Sequence, residues 1–303
     1  MYRIGVDIGG TQLRAAVFDS DFTILRREQF SNDRTKSAEE NIDNIIAFIN
    51  SFLAKEWQGA QAACNYCAGI GVGCPGPLDF AAGRVLNPPN LYGWNNFNLV
   101  SYIEGKTRLK TVLNNDANCA GLAEARLGAG KSCTSVFYIT VSTGIGGAFV
   151  YKGELINGAN SSAGEIYNLI VCEDSYSHHG ANAGSLNEVC GGDALARRAE
   201  AAFGRPINAK ELYDDLYLRK KDPKALKIID AWFDNLSKGI ANIACVVDPG
   251  VFIIGGAIAL KSEGFFETLT LKAKKYCIHP EKLIVRKASL GEDAGLFGAA
   301  LLV

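Results

Sequence analysis

Residues Tyr2–Phe18 read YRIGVDIGGTQLRAAVF, two apolar runs on either side of the turn DIGGT. Short apolar runs that flank a glycine pair predict a β-strand, a tight turn and a second β-strand. The later segment SVFYITVSTGIGGAFVYKGELING, residues 135–158, repeats this pattern around its own glycines. One such unit opens each half of the chain, which indicates an internal duplication.

The rest of the chain alternates between strand and helix patterns. After Ser37, a predicted N-cap, isoleucines at 42, 45, 46 and 49 share one face and predict an amphipathic helix over residues 37–52. Residues 19–36, between the first unit and this helix, are predicted to be a polar connection. The runs AGIGVGC and PGVFIIGGAI predict buried strands, and DALARRAEAAFG and the long segment from Asp222 to Asp248 predict helices. The alternation predicts an α/β fold with a substantially parallel sheet.

Composition narrows the classes of partner. A chain of 303 residues is longer than one hydrophobic core usually fills, so two domains are expected. The formal net charge of -1 argues against a nucleic-acid or anionic-membrane partner. No leader pattern and no apolar run of about 20 residues is found, so a cytoplasmic protein that binds small molecules is expected. The nine cysteines are an odd number in apolar surroundings, and no disulfides are expected.

Three glycine pairs and one aspartate are the candidate functional groups. Each pair follows an apolar strand, where backbone N–H groups can be aimed at phosphate oxygens, although a tight turn needs glycine for structural reasons alone. None has the Walker A or GxGxxG spacing. Asn115 and Asp116 fall at a strand-to-helix junction in KTVLNNDANCAGLAEARLG. Asp116 is either a helix N-cap or a general base, and the sequence leaves both open.

Six motifs in order along the chain resemble the ROK family: DIGGT, NPPNLYGW, NNDANCA, STGIGGA, AGE and the C-terminal DAG..GAA. The resemblance implies a two-lobed actin-like ATPase (ribonuclease H-like) fold with a cleft between the lobes. It assigns residues 1–115, completed by a C-terminal helix at 290–303, to the first lobe and residues 116–289 to the second. It further implies MgATP as the cofactor, a sugar substrate and a homodimer.

The resemblance also implies roles for individual residues. Asp116 is the implied catalytic base. Asp7 is expected near Mg²⁺, and the expected nucleotide contacts are Gly9, Gly10, Thr11, Gln12, Thr143, Gly144, Gly255 and Gly256. The expected sugar contacts are Asn90, Asn115, Asp116 and Glu165. Gln12 replaces a lysine common in the family, so a cationic phosphate contact is absent there.

The family's structural zinc is not expected in this chain. The positions that resemble its four ligands carry Asn168, His178, Gly180 and Ser185. Cys172, His178, His179 and Cys190 lack the ligand spacing of a zinc site, and adjacent histidines tend to point apart. The pair Cys64 and Cys67 precedes a strand, so buried packing is expected rather than redox chemistry.

The substitutions in this part of the chain also change which sugar is expected as the substrate. Asn168 and Asn187 stand where the family has a histidine and a glutamate that contact the sugar, with Glu188 as a substitute acid. Amides can donate to a carbonyl as well as accept from a hydroxyl, so an N-acetylhexosamine such as N-acetylmannosamine is expected alongside glucose. The implied activity is transfer of the γ-phosphoryl group to the C6 hydroxyl. A sensor that binds sugar without catalysis is the alternative, whereas a DNA-binding repressor would need a helix-turn-helix before the strand at Tyr2.

Overall fold

A computed structural model describes residues 1–57, 66–178 and 180–303. The chain divides into two compact units. Unit 1 comprises Met1–Ala123 and Glu292–Val303, and unit 2 comprises Glu124–Gly291. The sequence predicted the passages between lobes after residues 115 and 289, whereas in the structure they follow Ala123 and Gly291.

The elements alternate along the chain. The strands are β1 (Tyr2–Ile8), β2 (Gln12–Phe18), β3 (Ile24–Ser31), β4 (Cys67–Cys74), β5 (Leu78–Asp79), β6 (Arg84–Val85), β7 (Thr111–Asn115), β8 (Ser135–Val141), β9 (Ile145–Tyr151), β10 (Glu154–Leu155), β11 (Val251–Gly255) and β12 (Val285–Lys287). The α-helices are α1 (Ala38–Trp57), α2 (Leu99–Thr107), α3 (Asp116–Arg126), α4 (Leu186–Cys190), α5 (Gly192–Phe203), α6 (Pro223–Val247), α7 (Ala257–Lys261), α8 (Phe265–Ala273) and α9 (Ala294–Ala300).

The two units contain sheets of the same topology. In unit 1 the strand order is β3-β2-β1-β4-β7, and in unit 2 it is β10-β9-β8-β11-β12. In each sheet the first three strands along the chain are antiparallel, and the last two run parallel to the first. The predicted duplication is therefore confirmed at the level of topology.

Helix α1 forms as its sequence predicts. Ser37 Oγ accepts the Glu40 N–H at 3.2 Å, and the Glu40 carboxylate accepts the Ser37 N–H at 2.8 Å. This reciprocal pair is a capping box, which satisfies two N–H groups at the helix start. The four isoleucines of the predicted face are buried in the unit 1 core.

Helix α6 is the longest helix of unit 2 among the described residues. Asp222 accepts the N–H groups of Lys224 and Ala225, and Pro223 occupies the first turn, where its missing N–H costs nothing. Trp232 and Phe233 on this helix pack against Phe265 of α8, with ring centroids 5.5 Å apart in each pair. These aromatic contacts form the centre of the unit 2 core.

Two segments differ from the sequence prediction. The expected polar connection contains β3, which pairs with β2 along its length and forms an edge of the sheet. Its charged side chains are typical of an edge strand that avoids pairing with other chains, and they hide the alternation that marks a strand. Residues Glu211–Arg219 form a π-helix that no periodicity indicated. Across the described ranges, none of the helices has the length and apolar character needed to span a membrane.

Candidate active site

The turn after β1 is closed and braced by hydrogen bonds. The Gly9 N–H donates to the Gln12 carbonyl at 2.8 Å. Asn32, which is buried, donates from its backbone to Thr11 O and from Nδ2 to Gly9 O, both at 2.9 Å. Thr11 and Gln12 remain exposed. Asn32 is not among the residues expected from sequence, because it lies in the stretch predicted to be a polar connection.

The loop NPPNLYGW lies directly against this turn. A Cβ atom on Gly10 would lie 3.0 Å from the Asn90 carbonyl oxygen, so a larger residue there would need the two main chains to move slightly apart. Asn90 and Tyr92 are exposed, but Leu91 and Trp94 are fully buried. The apolar side chains of these two residues anchor the loop in the core.

Asp7 forms an ion pair with Arg14, its cross-strand neighbour on β2. Burial raises the pKa of the Asp7 carboxyl, against the opposing effect of Arg14. Arg14 is not among the site residues expected from sequence. Counting outward across the predicted turn would have found it, because Asp7 and Arg14 are the first pair beyond Ile8 and Leu13.

Asp116 begins α3 directly after β7. Its Oδ1 accepts the Ala117 N–H at 2.8 Å, and Asn115 Oδ1 accepts the same N–H at 2.9 Å, so Asn115 also caps this helix start. Burial, and then the charge of Asp7, raise the pKa of Asp116 to about 6. A carboxylate with this pKa is charged at neutral pH and has a proton affinity suited to general-base catalysis.

The donor set of unit 1 suits Mg²⁺. Magnesium in nucleotide sites is typically held by one or two carboxylates, water and substrate phosphates rather than by a cage of protein ligands. Asp7 and Asp116 are two carboxylates close enough for the charge of one to shift the pKa of the other. Within the described ranges, no group of three or more His, Cys, Asp or Glu side chains is arranged to hold a metal.

In unit 2 the turn after β8 carries Thr143 and Gly144. The Ser142 N–H donates to Gly144 O at 3.0 Å, and Thr143 is exposed. Two residues at the start of α5 also hold the turn. The Gly192 N–H donates to Ser142 O at 2.8 Å, and the Asp193 N–H donates to Thr143 O at 3.1 Å. These bonds place the start of α5 against the candidate phosphate turn.

Asn187 and Glu188, expected from sequence to contact a sugar, contact each other and the same turn. Asn187 Oδ1 accepts the Ile145 N–H at 3.1 Å, and Asn187 Nδ2 donates to Glu188 Oε1 at 3.1 Å. Glu188 is buried. The structure thus brings these two residues together with Thr143 and Gly144.

The AGE motif packs on the strand that follows the turn. A Cβ atom on Gly147 of β9 would lie 2.8 Å from the Gly164 carbonyl oxygen, and Gly164 itself has a φ of +87°. Main-chain contact between the two motifs therefore depends on both glycines. Glu165, the next residue, is exposed.

Asn168 fastens the loop that resembles the family's zinc segment. Its Oδ1 accepts the Asn182 N–H at 2.6 Å, while Asp174 pairs with Arg198 of α5 at 2.7 Å. The Val171 N–H donates to Gly184 O at 2.9 Å. Main-chain hydrogen bonds, the Asn168–Asn182 hydrogen bond and the Asp174–Arg198 ion pair therefore hold this loop.

The cysteines and histidines singled out in the sequence fall in different surroundings. Cys190 is buried, with its thiol near the Trp232 carbonyl at 3.7 Å, and burial raises the pKa of that thiol. Cys67 is also buried, as expected for packing. Cys64 and His179 lie outside the described residues.

Gly255 and Gly256 end β11 and precede α7. Gly256 has a φ of +89°, and a Cβ atom there would lie 2.3 Å from the Val141 carbonyl oxygen of β8. Gly256 is thus required for close packing inside unit 2, and this structural role is independent of any contact with a nucleotide.

Comparison with curated proteins gives relatives over nearly the whole chain. The glucokinase of Thermotoga maritima is 30% identical over 317 residues, which cover 99% of this chain and 96% of that protein. The beta-glucoside kinase of Klebsiella pneumoniae is 30% identical over 97% of this chain and 93% of its own length. An N-acetylmannosamine kinase of Escherichia coli (strain SMS-3-5 / SECEC) is 29% identical over 100% and 98% of the two chains.

Solved structures agree with these relatives. The ROK hexokinase from Thermus thermophilus superposes with a TM-score of 0.86 at 34% identity, covering 99% of this chain and 97% of that one. A ROK family glucokinase from Streptomyces griseus, in complex with glucose and AMPPNP, has a TM-score of 0.77 at 28% identity, covering 100% and 99% of the two chains. The fold is the actin-like ATPase fold. Since the ROK family profile matches residues 3–303 as well, the chain belongs to the ROK family.

Proposed function

We propose that this protein is an ATP-dependent sugar kinase that transfers the γ-phosphoryl group to the C6 hydroxyl of a hexose or an N-acetylhexosamine. The observation that carries the proposal is the Asp116 carboxylate, placed at a strand-to-helix junction beside Asp7, with its pKa raised to about 6. The relatives named glucokinase, beta-glucoside kinase and N-acetylmannosamine kinase support the same reaction class.

In the proposed step, Asp116 accepts the proton of the C6 hydroxyl. The C6 oxygen forms a bond to the γ-phosphorus, and the bond from that phosphorus to the bridging β,γ-oxygen breaks, leaving its electron pair on ADP. A positioned base of this kind typically contributes about 10²–10⁴-fold to the rate. Because the pKa of Asp116 is near 6, the group is charged and ready to accept a proton at neutral pH.

The phosphates are assigned to the two braced turns. Gly9, Gly10, Thr11 and Gln12 form one, and Thr143 and Gly144 form the other, while Gly255 and Gly256 are proposed to border the adenosine. Mg²⁺ bound with the nucleotide neutralises phosphate charge, and Asp7 is the residue proposed to face its water shell.

Sugar binding is assigned to Asn90, Asn115, Asp116, Glu165 and Asn168. Asn168 Oδ1 accepts the Asn182 N–H with one lone pair, so the amide can offer a ligand its two Nδ2 hydrogens and one remaining lone pair. Amide donors suit an acceptor such as the carbonyl of an N-acetyl group. We therefore place N-acetylmannosamine first and glucose second among the substrates.

The test is ADP release by the purified protein with MgATP and a panel of sugars. The panel contains N-acetylmannosamine, N-acetylglucosamine, glucose, mannose, fructose, allose and one β-glucoside, cellobiose. We expect turnover on at least one sugar and its loss by at least about 10²-fold in Asp116→Asn, with sugar binding retained.

Two results would contradict the proposal. No turnover on any sugar by a protein that binds both MgATP and a sugar would favour a non-catalytic sensor. An Asp116→Asn variant that loses sugar affinity but keeps its turnover number would remove Asp116 from the role of base.

A further inference from the structure

The turn at Ser142–Ile145 is held by an asparagine side chain as well as by main-chain bonds. The Ile145 N–H donates to Asn187 Oδ1 at 3.1 Å, from a residue 42 positions away in sequence. A Cβ atom on Gly144 would lie 2.6 Å from the same oxygen, so the turn is packed on the amide without space between them. Asn187 therefore sets the position of two consecutive residues of the turn.

The amide of Asn187 has one orientation in this arrangement. Its oxygen must face the Ile145 N–H, which is a donor, and its nitrogen faces Glu188 Oε1, an acceptor, at 3.1 Å. Glu188 is in turn buried, and its carbonyl oxygen accepts a hydrogen bond from Arg197 at 2.7 Å. A side chain held at both ends has little freedom to reorient toward a sugar.

Unit 1 contains a similar arrangement, in which an asparagine side chain is hydrogen-bonded to the main chain of the turn. There the Asn32 side chain donates to Gly9 O at 2.9 Å, and the Gly9–Gln12 turn is the counterpart of the Ser142–Ile145 turn in the repeated sheet. Each candidate phosphate turn is thus held by one asparagine side chain from a segment distant in sequence. The recurrence in two units points to a requirement of the turn itself.

We propose that Asn187 is a positioning residue for the nucleotide phosphates, which holds the Thr143–Gly144 turn in its binding conformation, and that it does not contact the sugar. This inference rests on the proposed function, because it takes the turn as a phosphate site. It revises the role that the sequence indicated for Asn187.

The experiment compares two affinities in the same variants. Binding of MgADP without sugar, and binding of N-acetylmannosamine and glucose without nucleotide, are measured by calorimetry for the wild type, Asn187→Ala and Asn187→Asp. Asn187→Ala should weaken MgADP binding by about tenfold, the usual effect of one lost hydrogen bond, and leave sugar affinity unchanged. Asn187→Asp keeps an acceptor for the Ile145 N–H, but it places a second carboxylate oxygen against Glu188 Oε1 and a negative charge at the phosphate turn, so it should also weaken MgADP binding.

Asn168→Ala is the matched control. It removes another amide of the sequence-predicted sugar set, but one that bonds Asn182 rather than the turn. Its MgADP affinity should equal that of the wild type. Amide hydrogen exchange at Ile145, faster in Asn187→Ala than in Asn168→Ala, gives a readout that needs no ligand.

Three results would overturn the inference. The first is a loss of sugar affinity in Asn187→Ala with unchanged MgADP affinity, and the second is an equal loss of both. The third is a wild-type protein that does not bind MgADP, which would also overturn the proposed function. Binding of MgADP without turnover on any sugar would count against the proposed function alone.

Discussion

The surroundings of Asp116 in the folded protein destabilise the charged form of its carboxyl group. Its carboxylate is partly buried beside a second carboxylate, and both conditions disfavour its charged form. Arg14 pairs with Asp7, and no described ion pair involves Asp116. Asn115 already accepts the Ala117 N–H, so the start of α3 does not require Asp116 as its cap. The energetic cost of the Asp116 charge is understandable if the charge serves a reaction.

We expect Asp116→Asn to stabilise the fold in a pH-dependent way. The folded pKa, about 6, lies above the ordinary value of 3.8, so between these values the folded state holds a proton that the unfolded state has lost. Stability linked to this group is present below about pH 4 and declines as pH rises through 6. Above pH 6 the charged group costs about 2–3 kcal/mol, which the amide avoids.

Urea denaturation of both proteins at pH 4.5 and pH 7.5 measures this effect. The free-energy gap between the variant and the wild type should be larger at pH 7.5. A gap of equal size at the two pH values would show that the pKa of Asp116 is not raised in the folded protein.

At the scale of elements, the loop between Leu169 and α4 is held by close main-chain packing at Gly184. The Gly184 carbonyl accepts the N–H groups of Val171 and Cys172, at 2.9 and 3.4 Å. A Cβ atom on Gly184 would lie 1.9 Å from the Cys172 carbonyl oxygen. Gly180, four positions earlier, has a similar positive φ, but no neighbouring atom within 4 Å of such a Cβ.

Gly184→Ala and Gly180→Ala should therefore differ in their effect on stability. Their φ angles are +72° and +79°, so both variants carry the backbone cost of a left-handed alanine, about 1–2 kcal/mol. Gly184→Ala additionally forces two backbone segments apart, which we expect to add about 1–3 kcal/mol. Thermal unfolding of the two variants tests this, and equal melting temperatures would mean that the loop yields without cost.

Helix α1 and the buried strands could be predicted from local sequence, whereas β3 and the π-helix could not. The capping box at Ser37 and the isoleucine spacing of α1 are short-range signals, so the helix could be predicted. Strand β3 is recognisable only by its pairing with β2, because its exposed charged residues mask the alternating pattern. The π-helix depends on what packs against it, which periodicity does not contain.

At the scale of the whole molecule, one buried carboxylate joins the beginning and the end of unit 2. Glu124, the first residue of the unit, is fully buried and accepts the N–H groups of Ala129, Ser289 and Leu290 at 2.7–2.9 Å. Ser289 Oγ also donates to it, at 3.2 Å. A buried charge without a described cation partner is tolerated because several N–H dipoles solvate it.

Removing this carboxylate should be strongly destabilising. We expect Glu124→Ala to lose about 3–5 kcal/mol, because three partly buried N–H groups lose their acceptor, and Glu124→Gln to lose about 1–3 kcal/mol. Glu200→Gln, an exposed change on α5, is the control and should be neutral. Urea denaturation measures all three variants, and a Glu124→Ala variant as stable as the control would contradict this role.

Chelation with EDTA should show whether the fold depends on zinc and whether the reaction depends on Mg²⁺. The loop that resembles the family's zinc segment is held by the Asn168–Asn182 hydrogen bond and the Asp174–Arg198 ion pair. We therefore expect dialysis against EDTA to leave the melting temperature unchanged, while ADP release stops and returns on addition of Mg²⁺. A melting temperature that falls on chelation and recovers with zinc would show that a structural metal is present.

The sequence by itself determined the family, the doubled strand-turn-strand framework and the identity of the motif residues. These are properties of local pattern: apolar runs around glycines at DIGGT and STGIGGA, and an aspartate at the junction after β7. Only the tertiary structure decided which partner each polar group finds. Asn187 pairs with the Ile145 N–H, and Glu124 pairs with a backbone segment more than 160 positions away. Such pairings are set by how distant segments pack, and a linear pattern does not contain those distances.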